Sequence, residues 1–389
     1  MQSRRSPRLS LGLLGLLLTA ALPDAVTLPQ RFRDGGYYTA GAGKIFHHYQ
    51  NDAESWDAYF PSVQYEFPPG SFSPPGYDSG YGDWQGRYTQ FCWQQLDQRD
   101  ERSADYQNVA YVIGQLEALP TDRPFFLNCG IYRPHVPWFA PRKYFEPFPL
   151  DEVQLPASRA DDRDDLPPSA VQWLNRGRYY AALEETGKHR EAVQGYLASV
   201  HYMDAMVGVL LDALDASPHA DNTIVVFWSD HGFHLGEKQW YRKYTLWDDA
   251  CHVPLIIRLP TTMRAGSAQP GVCEKSVSLL DLYPTLCELA GVESGAEPDG
   301  NSLVPLLHGD DTPGGRAAVT VNDWNTAYAV RSDGWCYIQR VDGEELYAPD
   351  DPHQFDNLAD DPQHAGRIAR LRSYIPAQPA AVRRAEQKP

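Results

Sequence analysis

The sequence predicts an α/β protein built on a mostly parallel sheet, followed by a small antiparallel α+β subdomain. Three observations carry this. Residues 194–214 place Leu197, Val200, Met203, Val207, Leu210, Leu211 and Leu214 at three- and four-residue spacings, one apolar stripe of a helix. Residues 224–228 (Ile-Val-Val-Phe-Trp) and 253–259 are unbroken apolar runs, the look of parallel strands covered on both faces. After about residue 315, short strand-like runs alternate with glycine turns. Helix, strand, strand, helix in this order indicates an α/β sandwich.

The elements follow along the chain. Residues 1–21 read as a secretory signal, with Arg4, Arg5 and Arg8, a leucine-rich stretch at 9–18, and Thr19-Ala20-Ala21; the alternative is an artefactual start. No stretch reaches the ~18 apolar residues of a membrane span, so no transmembrane anchor is expected. Residues 50–90, rich in Tyr, Trp, Gly and Pro, read as an irregular surface loop. Phe125-Phe126-Leu127 opens a buried strand that continues to Ile131 and stops before Pro134. Residues 150–180, with Asp161, Asp162, Asp164 and Asp165, read as a connection or lid. Residues 278–289 are amphipathic and end at Gly291, a helix stop.

Further on, Tyr328-Ala329-Val330 and Trp335 to Ile338 flank the turn Ser332-Asp333-Gly334, a hairpin. Glu345-Leu346-Tyr347 adds a strand, residues 362–374 a helix, and residues 382–389 a frayed tail. The expected division is 1–21, a core at 22–315, and a C-terminal subdomain at 316–389.

Composition narrows the function. Lys and Arg number 34 against 51 Asp and Glu, a net charge of −17. Nucleic-acid binding through the global field is excluded, and an anionic ligand needs a local cationic pocket. Six scattered cysteines without C-x-x-C exclude a zinc knuckle and a dense disulfide scaffold; one or two disulfides stay open.

Chemistry concentrates in a few segments. Trp228-Ser229-Asp230-His231-Gly232 ends a predicted strand, where α/β ligand sites gather. Asp230 and His231 can bind a divalent cation, with Gly232 turning the backbone beneath; a helix N-cap beside a surface histidine reads equally well locally. Lys238, Arg242 and Lys243 follow. A lysine beside a metal suits a tetrahedral oxyanion, whereas Lys238 reads as a solvated surface charge. Gly41-Ala42-Gly43-Lys44-Ile45-Phe46-His47 reads as a Gly-rich turn carrying a lysine and a histidine, without P-loop spacing. His135 sits in Arg133-Pro134-His135 at a strand end.

The order of the pieces is informative. Leu28-Pro29-Gln30, Gly43 to His47 and Tyr132-Arg133-Pro134-His135-Val136-Pro137 are followed by Tyr196 to Val200, Ser229-Asp230-His231-Gly232 and Leu235-Gly236-Glu237. Lys243-Tyr244, His252-Val253-Pro254-Leu255, Asp281-Leu282-Tyr283-Pro284-Thr285 and Glu345-Leu346-Tyr347 with Asn357-Leu358-Ala359 complete the series. From about residue 22 to 375 the chain resembles the sulfatase family of the alkaline-phosphatase superfamily, nearest in pattern to iduronate-2-sulfatase-like members.

The resemblance implies an alkaline-phosphatase-like α/β/α sandwich that hydrolyses sulfate esters. It implies that Asp230 and His231 are ligands of a calcium ion and that Lys44 and His47 contact a formylglycine nucleophile. His135 would be the general acid for the leaving group, and Lys243 the cation that grips the sulfate. A metal and lysines neutralise the ester's charge, and a histidine can pass the proton to the departing alkoxide.

One departure stands out. The family begins with a strand bearing two adjacent aspartates and a Cys or Ser in C/S-x-P/A-x-R, the formylglycine precursor. None of the six cysteines has that setting, and Ser3 and Ser6 have the wrong spacing. The expectation is an N-terminally incomplete pattern, a truncated gene model or a degenerate paralogue, with no nucleophile and an incomplete Ca2+ shell. The leading reading is a secreted or periplasmic sulfuric-ester hydrolase acting on sulfated sugars. The alternatives are a phosphodiesterase or phosphonate hydrolase of the same superfamily, and a non-catalytic protein binding sulfated glycans.

Overall fold

The computed structural model describes residues 25–46, 52–60, 91–263, 271–295, 299–309, 316–322 and 327–376. Residues 1–21, read as a signal, His47, residues 61–90 of the loop expected over 50–90, and residues 382–389, expected as a frayed tail, lie outside them. The chain divides into two compact units: Val26–Pro156 with Arg178–Thr223, and Ala157–Gly177 with Ile224–Pro389 and the first 25 residues.

The first unit opens with a helix, Leu28–Asp34, started by a capping box in which Thr27 and Gln30 satisfy each other's backbone N–H groups. Then comes β1 (Tyr38–Gly43), the middle of a parallel three-stranded sheet with β2 (Ala58–Phe60) and β4 (Phe125–Gly130). A second parallel pair joins β3 (Trp93–Leu96) to β5 (Trp138–Pro141). The predicted strand at 125–131 is therefore present. The predicted Gly-rich turn at 41–43 is instead a buried strand end.

Its glycines serve close approach. A Cβ on Gly43, where φ is +80°, would lie 1.8 Å from the Gly130 carbonyl oxygen, so β1 and β4 meet where only glycine fits. Gly36 has a similar φ of +87° but no neighbour within 4 Å. Gly43→Ala is expected to cost ~2–5 kcal/mol, combining left-handed strain with a backbone clash, and Gly36→Ala only ~1–2. Urea unfolding checks this; equal midpoints for the two variants would refute it.

The helix predicted over 194–214 spans His189–Asp215. Its most buried face is not the expected stripe. Ala192, Gly195, Ala198, Ser199, Tyr202 and Met206 are buried, while Leu197, Val200, Met203 and Val207 are half-buried. Small residues win because they let the helix approach the strands: a Cβ on Gly195 would come 2.6 Å from Trp93 Cβ. The helix Ala104–Glu117, capped by Ser103, joins the same core through Val109 against Ala198, Tyr202 and Met206. By length and composition alone His189–Asp215 would also fit a membrane span.

In the second unit β6 (Val225–Trp228) pairs with β9 (Leu255–Arg258). The two apolar runs were expected as parallel strands covered on both faces. They pair antiparallel, and Trp228 and Ile256 are 44% and 60% exposed. An unbroken apolar run encodes a strand but not its direction. Between them, β7 (His234–Leu235) and β8 (Tyr241–Arg242) form a short hairpin.

The helix Leu282–Ala290 stops at Gly291, whose φ of 65° is left-handed, as predicted. Four antiparallel strands follow in spatial order: β10 (Ala318–Asn322), β11 (Ala327–Ser332), β12 (Trp335–Gln339) and β13 (Glu344–Tyr347). The predicted turn joins β11 to β12, with Asp333 and Gly334 both at positive φ, the twist a two-residue hairpin prefers. The helix Ala365–Arg372 packs Ile368 and Leu371 onto Val330, Tyr337 and Leu346. The six cysteines, all among the described residues, form no disulfide with one another.

Candidate functional site

Asp230 and His231 follow the carboxyl end of β6. Ser229 Oγ donates to the His231 carbonyl at 2.8 Å, and Gly232 N donates to the Ala250 carbonyl at 2.9 Å. A Cβ on Gly232 would lie 2.0 Å from the Asp249 carbonyl oxygen, so glycine is needed here for close approach rather than for a left-handed turn.

His231 Nδ1–H donates to the Gly232 carbonyl at 2.8 Å, which leaves Nε2 as the acceptor nitrogen. The buried Lys243 ammonium donates to that Nε2 at 2.8 Å, and Asp230 Oδ1 lies 3.6 Å from it. Asp230, His231 and Lys243 are thus brought together.

The backbone carrying Lys243 is strained. Lys238, Gln239, Arg242 and Tyr244 have φ of 53°, 51°, 106° and 70°, and Gly236 has 130°. Each such non-glycine residue costs on the order of 1–3 kcal/mol and persists where surrounding contacts impose it, a common mark of ligand sites. Here Trp240 Nε1 donates to the Lys243 carbonyl at 3.2 Å, and Lys243 Nζ lies 5.5 Å from the Tyr244 ring centroid.

The expectation for Lys238 is overturned. It is 1% exposed rather than solvated, and its Nζ donates to Asp162 Oδ1 at 2.5 Å and to the Gln354 carbonyl. Asp162, expected in a polar connection, is equally buried at 1%. The sequence held no sign of this pairing because the partners stand 76 positions apart.

The first unit holds Lys44 and His135. Lys44 leaves the carboxyl end of β1, its N–H donating to the Gly130 carbonyl at 3.1 Å. His135 stands between cis Arg133–Pro134 and Val136–Pro137 bonds. Its Nδ1 donates to the Val136 carbonyl at 2.5 Å, so proton exchange falls to Nε2. Beneath them Asp105, buried and absent from the sequence reading, accepts from Tyr132 N at 2.7 Å and Arg133 N at 3.2 Å. Burial raises its pKa, opposed by Arg133, the two N–H groups and Lys44. His47 lies outside the described residues.

A metal can be tested against Asp230 and His231. Donor atoms 3.6 Å apart can share one cation whose bonds are ~2–2.6 Å long, so the pair fits as two ligands of an ion once the Lys243 ammonium moves off His231 Nε2, whose single lone pair it takes here. A second group, His234, Glu237 and Asp249, also places one ligand atom from each within 4.8 Å of the others.

Comparison with known proteins gives the lineage. The Sulfatase family model matches residues 20–292, and the model for the C-terminal part of N-sulphoglucosamine sulphohydrolase matches residues 236–379. A sulfatase of Formosa agariphila is 34% identical over 365 residues, which cover 92% of this chain and 70% of that protein. Iduronate 2-sulfatase of Homo sapiens is 33% identical over 310 residues, covering 69% of this chain and 54% of that enzyme. The chain thus spans about half of the human protein. A protein solved in complex with its substrate D-glucosamine-2-N,6-O-disulfate superposes with a TM-score of 0.65 over 94% of this chain and 85% of its own. At 19% identity it speaks for the fold alone, which is alkaline-phosphatase-like. The matched pattern and the shared fold together make this chain a member of the sulfatase family.

Proposed function

We propose that these residues serve the hydrolysis of sulfate esters on sulfated sugars. The observation that carries the reading is the Lys243 ammonium set on His231 Nε2 at 2.8 Å, beside Asp230, on strained backbone. Lys243 grips the sulfate oxygens. Asp230 and His231 hold the cation, calcium on family grounds, which when bound neutralises sulfate charge. The family resemblance gives Lys44 and His47 the contacts to a formylglycine nucleophile, where one is supplied. His135 donates its Nε2 proton to the leaving alkoxide, its ring held by the Nδ1 bond to Val136. An extracytoplasmic location, secreted or periplasmic, rests on the apolar run at 9–18 behind three arginines.

None of the 389 residues stands in the C/S-x-P/A-x-R setting, so no nucleophile is assigned among them. The 389-residue chain is therefore expected to bind 4-nitrophenyl sulfate saturably, without turnover, and more tightly than a phosphonate monoester of the same alcohol. Titration calorimetry and 4-nitrophenol release measure both. Preference for the phosphonate would move the reading to a phosphonate hydrolase. Binding of neither ester would end it. Rapid turnover would show that a nucleophile has been overlooked.

A further inference from the structure

His234, four residues past Asp230, is 0% exposed. Its Nε2 is hydrogen-bonded to Thr245 Oγ1 at 2.7 Å. Its Nδ1 has no hydrogen-bond partner and faces Asp249 Oδ2 at 3.4 Å. Glu237 reaches the same point, with its Oε2 held by Leu235 N at 2.5 Å. In the tautomer that donates Nε2–H to Thr245, the Nδ1 lone pair and two carboxylates aimed together repel unless something positive lies among them. The adjacent cation does not fill that role, since the Lys238 ammonium is held by Asp162 and the Gln354 carbonyl.

We propose that His234, Glu237 and Asp249 bind one divalent transition-type cation, zinc or manganese, at a site distinct from Asp230 and His231. The donor set decides the class of ion. One imidazole nitrogen with two carboxylate oxygens suits zinc or manganese, whereas calcium prefers an all-oxygen shell of ~6–8 ligands. With the Nε2 proton on Thr245, Nδ1 presents its lone pair, and the Thr245 bond fixes the ring as partners of metal-binding histidines do. Asp249, 35% exposed, leaves a way in from solvent.

The charge state agrees with the geometry. Burial, then the Lys238 charge, pushes His234 down to about 3, so the imidazole is neutral. Burial and the Asp249 charge push Glu237 up to about 7, and burial and Asp248 push Asp249 up to about 6. Ionising these carboxylates is unfavourable until a cation joins them. The ion would tie the β7–β8 hairpin, which leads into Lys243, to the short helix Asp248–Cys251.

The test uses the 389-residue chain, stripped with chelator and titrated separately with zinc chloride, manganese chloride and calcium chloride. Isothermal calorimetry and elemental analysis give affinity and stoichiometry. One equivalent of zinc or manganese is expected at this site, persisting in Asp230→Asn. In His234→Gln and Glu237→Gln its affinity should fall by ~100-fold or more. Because His234 is buried, Asp249→Asn serves as the variant least able to disturb folding, and cobalt absorption in the visible range reports nitrogen–oxygen coordination directly. Zinc and manganese that both fail to bind, or that bind equally well to Glu237→Gln and Asp249→Asn, would overturn the proposal. The outcome does not depend on ester binding, so the sulfatase reading stands or falls separately.

Discussion

Lys243→Met is expected to weaken binding of 4-nitrophenyl sulfate by roughly 10–100-fold, the worth of a charge-assisted hydrogen bond at ~1.5–3 kcal/mol. In a form of the protein supplied with the nucleophile, turnover should fall further, by about 10²–10³, the usual loss when one preorganised donor to a developing charge is removed. The expectation follows from position. The Lys243 ammonium is buried and lies 2.8 Å from His231 Nε2. A buried cation is costly, and neutral methionine of similar length removes that cost. The variant should therefore melt no lower than the parent while binding the ester worse. A merely structural lysine would show the reverse, with stability lost and affinity kept. That reverse result would remove Lys243 from the sulfate-gripping role.

The residues that sequence reading found and missed differ in what fixes them. Helix His189–Asp215, strand Phe125–Gly130, the stop at Gly291 and the hairpin at Asp333-Gly334 depend on local chemistry, which is written in local spacing. The Asp230–His231 pair was legible because a β-branched run ends just before it. β1 was not, because Tyr38–Gly43 has no apolar run. It is a strand because glycine and alanine let Gly43 approach Gly130 and let Gly41 pass beneath the Trp56 ring. The strand direction of β6 and β9 was likewise invisible, as an apolar run reads the same either way. Lys238 was misread, and the group His234, Glu237 and Asp249 missed, for one reason. Whether a charge meets a partner is settled by contacts between distant segments, and the hairpin β7–β8 and the helix Asp248–Cys251 make those contacts.

Lys238→Met is expected to destabilise the fold by ~3–5 kcal/mol at neutral pH, the cost of leaving a buried ion without its partner. Lys238 and Asp162 are each 1% exposed, so solvent screens little of their attraction. The ammonium also meets the Gln354 carbonyl and lies 5.6, 5.5 and 5.8 Å from the ring centroids of Trp247, Tyr347 and Phe355. Lys238 sits at a positive φ of 53°, and methionine bears the same backbone strain, so the substitution isolates the charge. The pH dependence has a definite sign. Burial already raises the Asp162 pKa above the usual carboxylate range, with Lys238 opposing. Without Lys238 the pKa rises further and the neutral acid is favoured in the fold. A raised carboxyl stabilises below its unfolded value near 3.8, and that contribution is lost as pH climbs through the folded value. The deficit of Lys238→Met should therefore be largest near neutrality and shrink towards pH 4. Replacing both partners, as Lys238→Met with Asp162→Leu, should recover most of it, since an apolar pair of similar volume is often as stable as a buried ion pair. Guanidinium unfolding of the parent, both single variants and the double variant at pH 4 and pH 7 measures every term. A loss below ~1 kcal/mol at pH 7 would place this pair with ordinary surface ion pairs, despite its burial.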